Sequence, residues 1–141
     1  VETYLPRWFA IYEAQPELGY FAAERRDTGE FLGWFHLRDD RIEPGYLELG
    51  YRLRRAAWGQ GYGTEGARAL VTHGFARAGA DRISARTLAG NQASRHVMEK
   101  CGLRHAGDFV YPEDVIAGRS EEDRAAVKYA ITRPEWLSLQ G

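Results

Sequence analysis

Trp58-Gly59-Gln60-Gly61-Tyr62-Gly63-Thr64-Glu65-Gly66 separates a strand pattern from a helix pattern, and the rest of the chain is arranged around it. Ahead of it, Tyr46-Leu47-Glu48-Leu49-Gly50-Tyr51-Arg52-Leu53 alternates well enough for a strand with one buried face. Behind it, Ala67, Leu70, Val71, Phe75 and Ala78 recur at helical spacing, with Arg68, Thr72, His73 and Arg77 between them. The glycines therefore sit where a strand turns into a helix. Glycine reaches positive φ without steric cost and lets a ligand approach the main chain. Amides of the turn and the helix N-terminus then face outward with the positive end of the helix dipole, an arrangement suited to a diphosphate. The competing reading is a tight turn that needs glycine for its angles alone. No Gly-Lys-Ser/Thr follows, so the stretch is not a P-loop. Gly61 to Gly66 fits G-x-G-x-x-G, but the nearest acidic candidate for holding a ribose, Asp81, falls before its strand instead of at a strand end.

The chain has 141 residues, enough for one domain with a proper core, and one domain over 1–141 is the expectation. A formal net charge of -1 argues against a general nucleic-acid or membrane-surface binder. The single cysteine, Cys101, excludes an internal disulfide and cannot build a thiolate metal site by itself, which fits a reducing cytoplasm. No pair of His, Cys, Asp or Glu falls at a familiar ligand spacing, so no metal is expected. No apolar run has the length of a membrane span, and the first residues lack signal-peptide regions. The chain begins at Val1 in place of Met, as a processed chain or part of a longer one does.

Tyr4, Leu5, Trp8, Phe9 and Tyr12 recur at three and four and predict an aromatic helical face within Val1 to Gln15, stopped by Pro16-Glu17-Leu18-Gly19. That face packs on the core, walls an acceptor site or, left uncovered, offers a homodimer surface. Tyr20 to Arg25 and Phe31 to Arg38 read as antiparallel strands around an Asp27-Thr28-Gly29-Glu30 turn. Arg38 to Pro44 reads as a polar loop. After the central helix, Gly79-Ala80-Asp81 closes it and Arg82 to Thr87 alternates as a strand. This order predicts a crossover with the glycine stretch at the carboxyl end of its first strand, where open sheets bind ligands. Asn91 caps a short helix to about Cys101, with Val97, Met98 and Cys101 inward and Gly102 as its stop. Leu103 to Val110 and Val127 to Thr132 read as the last strands, joined by a solvated charged segment from Glu113 to Arg124.

Asn91-Gln92-Ala93-Ser94-Arg95-His96-Val97-Met98-Glu99-Lys100-Cys101-Gly102-Leu103 lies one strand beyond the glycine stretch. With both, and with Glu48-Leu49-Gly50-Tyr51, the chain from about Tyr20 to Trp136 resembles the GNAT superfamily of acetyl-CoA-dependent N-acetyltransferases. The nearer likeness is to the branch that acetylates ribosomal-protein N-termini. Trp58 stands where the superfamily commonly has Arg or Gln. The family pattern opens with a strand and a helix that would precede Val1, so a domain without them is expected, its acceptor side the less complete.

The resemblance implies an α/β fold, a mixed, mostly antiparallel twisted sheet with flanking helices and one parallel pair splayed around acetyl-CoA. Backbone amides from Gln60 to Thr64, within the loop of Trp58, Gly59, Gln60, Gly61, Tyr62, Gly63 and Thr64, would hold the pyrophosphate. Tyr51 to Leu53 would offer main-chain groups to the pantetheine, which extends a sheet edge like a strand. Asn91 would bond the pantetheine arm or serve as a plain N-cap. Arg52, Arg54 and Arg55 would face the phosphates, or form only a solvated strand edge.

Amine acetylation needs a neutral amine, a stabilised oxyanion and a proton for the leaving thiolate. A main-chain N–H near Tyr51 to Leu53 meets the second need. Ser94 is the candidate for the third, at a helix start that favours developing negative charge; a capping role is its alternative. Glu48, between Leu47 and Leu49, is the candidate base, because burial there raises a carboxyl pKa toward a useful value. Binding the acceptor's ammonium or pairing with an arginine are its alternatives. His36, His73, His96 and His105 are further bases by chemistry, and a water route needs no strong base. Asp39, Asp40 and Glu43 attract a cationic acceptor or are a solvated face. Cys101 reads as core, so direct transfer without an acyl-enzyme is expected. The acceptor would be a protein α-amine or a small amine; a non-catalytic acyl-CoA-binding module on the same fold is the reading from another class.

Overall fold

The alternating stretches form one seven-stranded sheet of order β1-β2-β3-β4-β5-β7-β6 in a computed structural model that describes residues 3–4 and 18–140. The strands are β1 (Thr3–Tyr4), β2 (Gly19–Arg25), β3 (Phe31–Asp39), β4 (Leu47–Leu53), β5 (Arg82–Leu88), β6 (Arg104–Val110) and β7 (Ala125–Thr132). Helices α1 (Tyr62–Ala76), α2 (Gln92–Lys100) and α3 (Arg133–Gln140), with short 3-10 turns at Arg55–Ala57 and Glu122–Arg124, complete the described elements. Every neighbouring pair is antiparallel except β4–β5. That pair is in register only at Leu47↔Ile83 and Glu48↔Ser84, after which the two strands part. The expected mixed sheet with one splayed parallel pair is therefore the fold.

The periodicity of α1 is resolved as packing. Ala67, Leu70, Val71 and Phe75 are buried against Phe35, Leu37, Leu49 and Ile83 of the sheet. Each large apolar side chain removed from water there contributes roughly 1.5–3 kcal/mol. Gly66 lets the helix lie this close: a Cβ at that position would stand 2.2 Å from the Phe35 ring. At the other end, Arg133 donates to the Phe75 carbonyl at 2.9 Å and to the Ala80 carbonyl, fixing the last turn of α1 and the loop after it.

Two points differ from expectation. Tyr4, read as part of a helix, lies in a short edge strand, because the main chain of Thr3–Tyr4 pairs with Arg25 and Glu24. The remainder of that predicted helix, with its acceptor-wall and dimer readings, lies outside the described residues. Helix α3 was not anticipated; Thr132 and Glu135 start it by exchanging bonds, with the Thr132 amide donating to Glu135 Oε1 at 2.9 Å and the Glu135 amide to Thr132 Oγ1 at 3.3 Å.

Candidate functional site

Where β4 and β5 diverge, a cavity of about 540 Å³ opens between the start of α1 and the start of α2. Its floor strand is open on one side. β4 is paired with β3 along its whole length, from Leu47↔Asp39 to Leu53↔Gly33, but meets β5 only at Leu47 and Glu48. From Leu49 onward, the edge facing the cavity has no strand partner among the described residues.

The glycine loop forms one end of the cavity. Gly59 and Gly61 have φ of 74° and 84°, and a Cβ on either would meet nothing within 4 Å. Their requirement is the backbone angle, and the space beside them is free. The first amide bonded into α1 is that of Glu65, which donates to Gly61 at 3.0 Å. The amides from Gly59 through Thr64 donate to no backbone carbonyl among the described residues, as the geometry of a helix start dictates. Gly59, Gly61, Tyr62, Gly63 and Thr64 all line the cavity. Trp58 is 60% exposed at its mouth, with the indole N–H donating to the Leu53 carbonyl at 2.9 Å and Arg55 over the ring. Leu53 lines the cavity too, but its carbonyl, one of the main-chain groups in the stretch expected to meet a ligand, already accepts from Trp58.

The opposite end comes from α2. Asn91 accepts the Ser94 amide on Oδ1 at 3.1 Å, so it is an N-cap, and both residues line the cavity. Glu99 and Arg95 anchor this helix to the Tyr129 hydroxyl, which donates to Glu99 at 3.0 Å and accepts from Arg95 at 3.3 Å. Ala93, His96, Val97 and Lys100 also reach the cavity and were not anticipated. Positions 93, 97 and 100 recur at helical spacing, a signal read only for its buried side.

Tyr51 links the two ends. Its ring stacks on Phe35 with centroids 5.3 Å apart and lies 3.4 Å from where a Gly63 Cβ would stand. Burial pushes the phenol above its ordinary value of 10, against a hydrogen bond from the Ser94 side chain; Cys101 adds to the rise.

Two candidate cofactor residues turn their side chains elsewhere. Arg54 and Gln60 line a separate hollow of about 150 Å³ with Arg25 and Glu30. Arg54 turns there because the Phe31 carbonyl accepts its guanidinium at 3.1 Å, with Glu30 at 3.9 Å; the Gln60 side chain donates to Ala56 at 2.8 Å. Of the three arginines, Arg52 is the one at the main cavity.

Glu48 is not brought to the cavity wall either. Arg38 donates to its Oε1 from two nitrogens at 3.1 and 3.0 Å, and Arg86 donates to Oε2 at 3.1 Å. His36 Nε2 stands 3.7 Å from Oε1. The expected rise in its pKa is reversed: burial raises it, but His36 and Arg38 outweigh burial and hold the carboxyl below its ordinary value. Of its three readings, arginine pairing is the observed one. The acidic loop is likewise solvated only in part. Asp40 is buried, accepts from Ser84 Oγ at 2.7 Å and from the Ile42 and Glu43 amides, and pairs with Arg86 at 2.9 Å. Despite the desolvation that opposes it, these partners hold Asp40 at about 2. Glu43 pairs with Lys128, while Asp39 remains exposed.

Cys101 is buried, as expected of core, and desolvation pushes its thiol up to about 11, with Arg68 acting weakly against the rise. His105 pairs with Asp108 at 2.7 Å, and His73 packs edge-on to Phe21. No group of three His, Cys, Asp or Glu stands close enough to hold a metal among the described residues, and no described helix is long and apolar enough to cross a membrane.

A strand, an amide-rich glycine loop and a capped helix around a parted parallel pair define a class, and comparison with known proteins gives the same class. The sequence model described as acetyltransferase (GNAT) domain matches residues 1–104, and the chain belongs to that family. An FsC-acetyl coenzyme A-N(2)-transacetylase of Aspergillus fumigatus is 39% identical over 119 residues, which are 79% of this chain and 50% of that protein. The chain thus spans about half the length of that curated relative. A GNAT-family acetyltransferase from Bacillus anthracis superposes with a TM-score of 0.69 at 25% identity, covering 80% of this chain and 65% of the other. A ribosomal-protein-S5-alanine acetyltransferase from Vibrio fischeri gives 0.74 at 17% identity, covering 89% and 67%, a likeness of fold.

Proposed function

We propose that this chain transfers an acetyl group from acetyl-CoA directly to a primary amine. One observation carries the reading: the α1 start, whose amides have no backbone partners among the described residues, the β4 edge left unpaired among those residues and the capped start of α2 converge on one cavity. The amides from Gly59 to Thr64, with the α1 dipole behind them and Arg52 and Lys100 nearby, suit a diphosphate. The free edge from Leu49 to Leu53 suits the amide groups of a pantetheine arm, which would add to the sheet as a strand does. Asn91, although a cap, retains acceptor capacity toward that arm. Amides at the end of β4 would stabilise the oxyanion.

Ser94 would protonate the departing thiolate, at a helix start that favours negative charge. Glu48 is assigned to holding Arg38 and Arg86, and the amine loses its proton to water. With its only cysteine buried and held near 11, the chain has no thiolate nucleophile at neutral pH, which supports direct transfer in a ternary complex. The acceptor is a protein α-amine or a small amine. The name of the Aspergillus relative, an N(2)-transacetylase, favours beginning with small amines.

Calorimetric titration with acetyl-CoA and NAD, followed by thiol release with an amine panel that includes an N-terminal peptide, tests this. Acetyl-CoA binding without NAD binding, and thiol release with at least one amine, is the expected result. Acetyl-CoA binding with no amine consumed would instead establish the non-catalytic acyl-CoA-binding module. In the same assay Ser94→Ala lowers turnover about tenfold or more, and Glu48→Gln leaves turnover per folded molecule within about threefold.

A further inference from the structure

We propose that the indole of Trp58 is the platform on which the adenine of coenzyme A stacks. The inference rests on the acetyl-CoA reading of the cavity. Trp58 lines that cavity and is 60% exposed, yet its ring is not loose. The indole N–H donates to the Leu53 carbonyl at 2.9 Å, and the Arg55 guanidinium carbon lies over the ring, 5.4 Å from its centroid. A cation over one face leaves the other for a flat ligand. Trp34 makes the contrast: it is 39% exposed, lies away from the cavity and packs edge-on against Phe31 with centroids 5.3 Å apart. A ring fixed before its ligand arrives loses little freedom on binding, which makes it an effective anchor.

The covalent order of the ligand decides which of its groups meets this ring. In coenzyme A the ribose and adenine follow directly on the diphosphate. In the protein Trp58 directly precedes Gly59, where the amide cradle begins, and consecutive Cα atoms are about 3.8 Å apart. A base held one sugar away from a cradled phosphate is therefore within reach of the indole. Adenine is flat and uncharged at neutral pH, so it gains from an aromatic face more than from a cation. Arg52 and Lys100, which line the same cavity, suit the phosphate groups instead. A ring that merely held the loop through Leu53 would serve every ligand of the cavity alike, with or without a base.

That difference is measurable. Calorimetry compares coenzyme A with 4′-phosphopantetheine, which lacks the adenosine, on the parent protein, Trp58→Leu and Trp58→Phe. Trp58→Leu weakens coenzyme A about tenfold and leaves phosphopantetheine within about twofold. Trp58→Phe keeps a ring but loses the bond to Leu53, and it holds coenzyme A within about threefold of the parent. Coenzyme A also quenches the parent's tryptophan emission, and Trp58→Phe abolishes the quench although Trp8, Trp34 and Trp136 remain. Equal weakening of both ligands in Trp58→Leu overturns the platform, and so does a quench that survives in Trp58→Phe. A Trp58→Leu protein that binds coenzyme A like the parent overturns it too, with the acetyl-CoA reading intact. Failure of the parent to bind coenzyme A at all instead removes that reading, and the platform with it.

Discussion

The two ends of β4 are built on opposite rules. Toward the cavity, from Leu49 to Leu53, the strand leaves an edge unpaired among the described residues, beside a loop whose amides have no backbone partners among them. At the start of the strand, before β4 and β5 part, Glu48 is enclosed with Arg38, Arg86, Asp40 and Ser84, and the carboxylates have several partners each. An unsatisfied main chain is tolerable only where water or a ligand reaches it, whereas buried charge is tolerable only when paired. The contrast separates a surface made to receive something from one made to stay shut.

The largest expected effect is at the shut end. Arg86, whose side chain is 4% exposed, is the counter-charge of Asp40 and shares Glu48 with Arg38, so Arg86→Met leaves the buried Asp40 without a cation and costs about 3 kcal/mol or more in urea unfolding. A loss below about 1 kcal/mol would mean that the network is solvated and the contrast is false. Next comes acid. The Asp40 carboxyl at about 2 against an ordinary 3.8 is a depressed folded-state pKa. Its contribution, about 2 kcal/mol, is complete above the ordinary value and lost as pH falls from about 4 to 2. Glu48, also depressed, adds to the same acid limb from its ordinary 4.5 downward. Unfolding measured between pH 6 and 2 should show that limb, and Asp40→Asn should flatten it.

At the open end, Gly61→Ala forces a Cβ onto a φ of 84° and costs about 1 kcal/mol, with no clash to add to it. The same substitution should weaken acetyl-CoA affinity by more than its stability cost predicts, because it alters the amide cradle; equal affinity in calorimetry would detach the loop from the ligand. The smallest effect belongs to Trp58→Leu, which removes one exposed bond to the Leu53 carbonyl and should leave stability within about 1 kcal/mol.

What could be read from sequence followed the range of the interactions involved. The glycine loop and the Asn91 cap depend on neighbours within a few residues, and both stand where their local chemistry puts them. Thr132-Arg133-Pro134-Glu135 carried an equally local signal, a Thr followed three residues later by Glu, and α3 was legible from it although it went unread. Glu48 was different. Its flanking leucines suggested a raised pKa, but the groups that reverse the shift, His36 and Arg38, come from the neighbouring strand β3 and not from the residues beside it. Asp40 is drawn inward by Ser84, 44 residues on, and nothing in the run Asp39-Asp40 distinguishes the buried acid from the exposed one. Arg54 looked like phosphate chemistry until the β2–β3 hairpin supplied the Phe31 carbonyl that claims it.

The strand order also has a consequence in time. β7 lies between β5 and β6, so the strand made before it can join the sheet only after it arrives. Tyr129 of that late strand holds Glu99 and Arg95 of α2. During synthesis, the half of the sheet ending at β4 can form by neighbour pairing, while the wall bearing Asn91 and Ser94 waits for residues near 130 to emerge. Until then, β5 offers an unpaired edge to any other strand within reach, the period in which a chaperone has the most to protect.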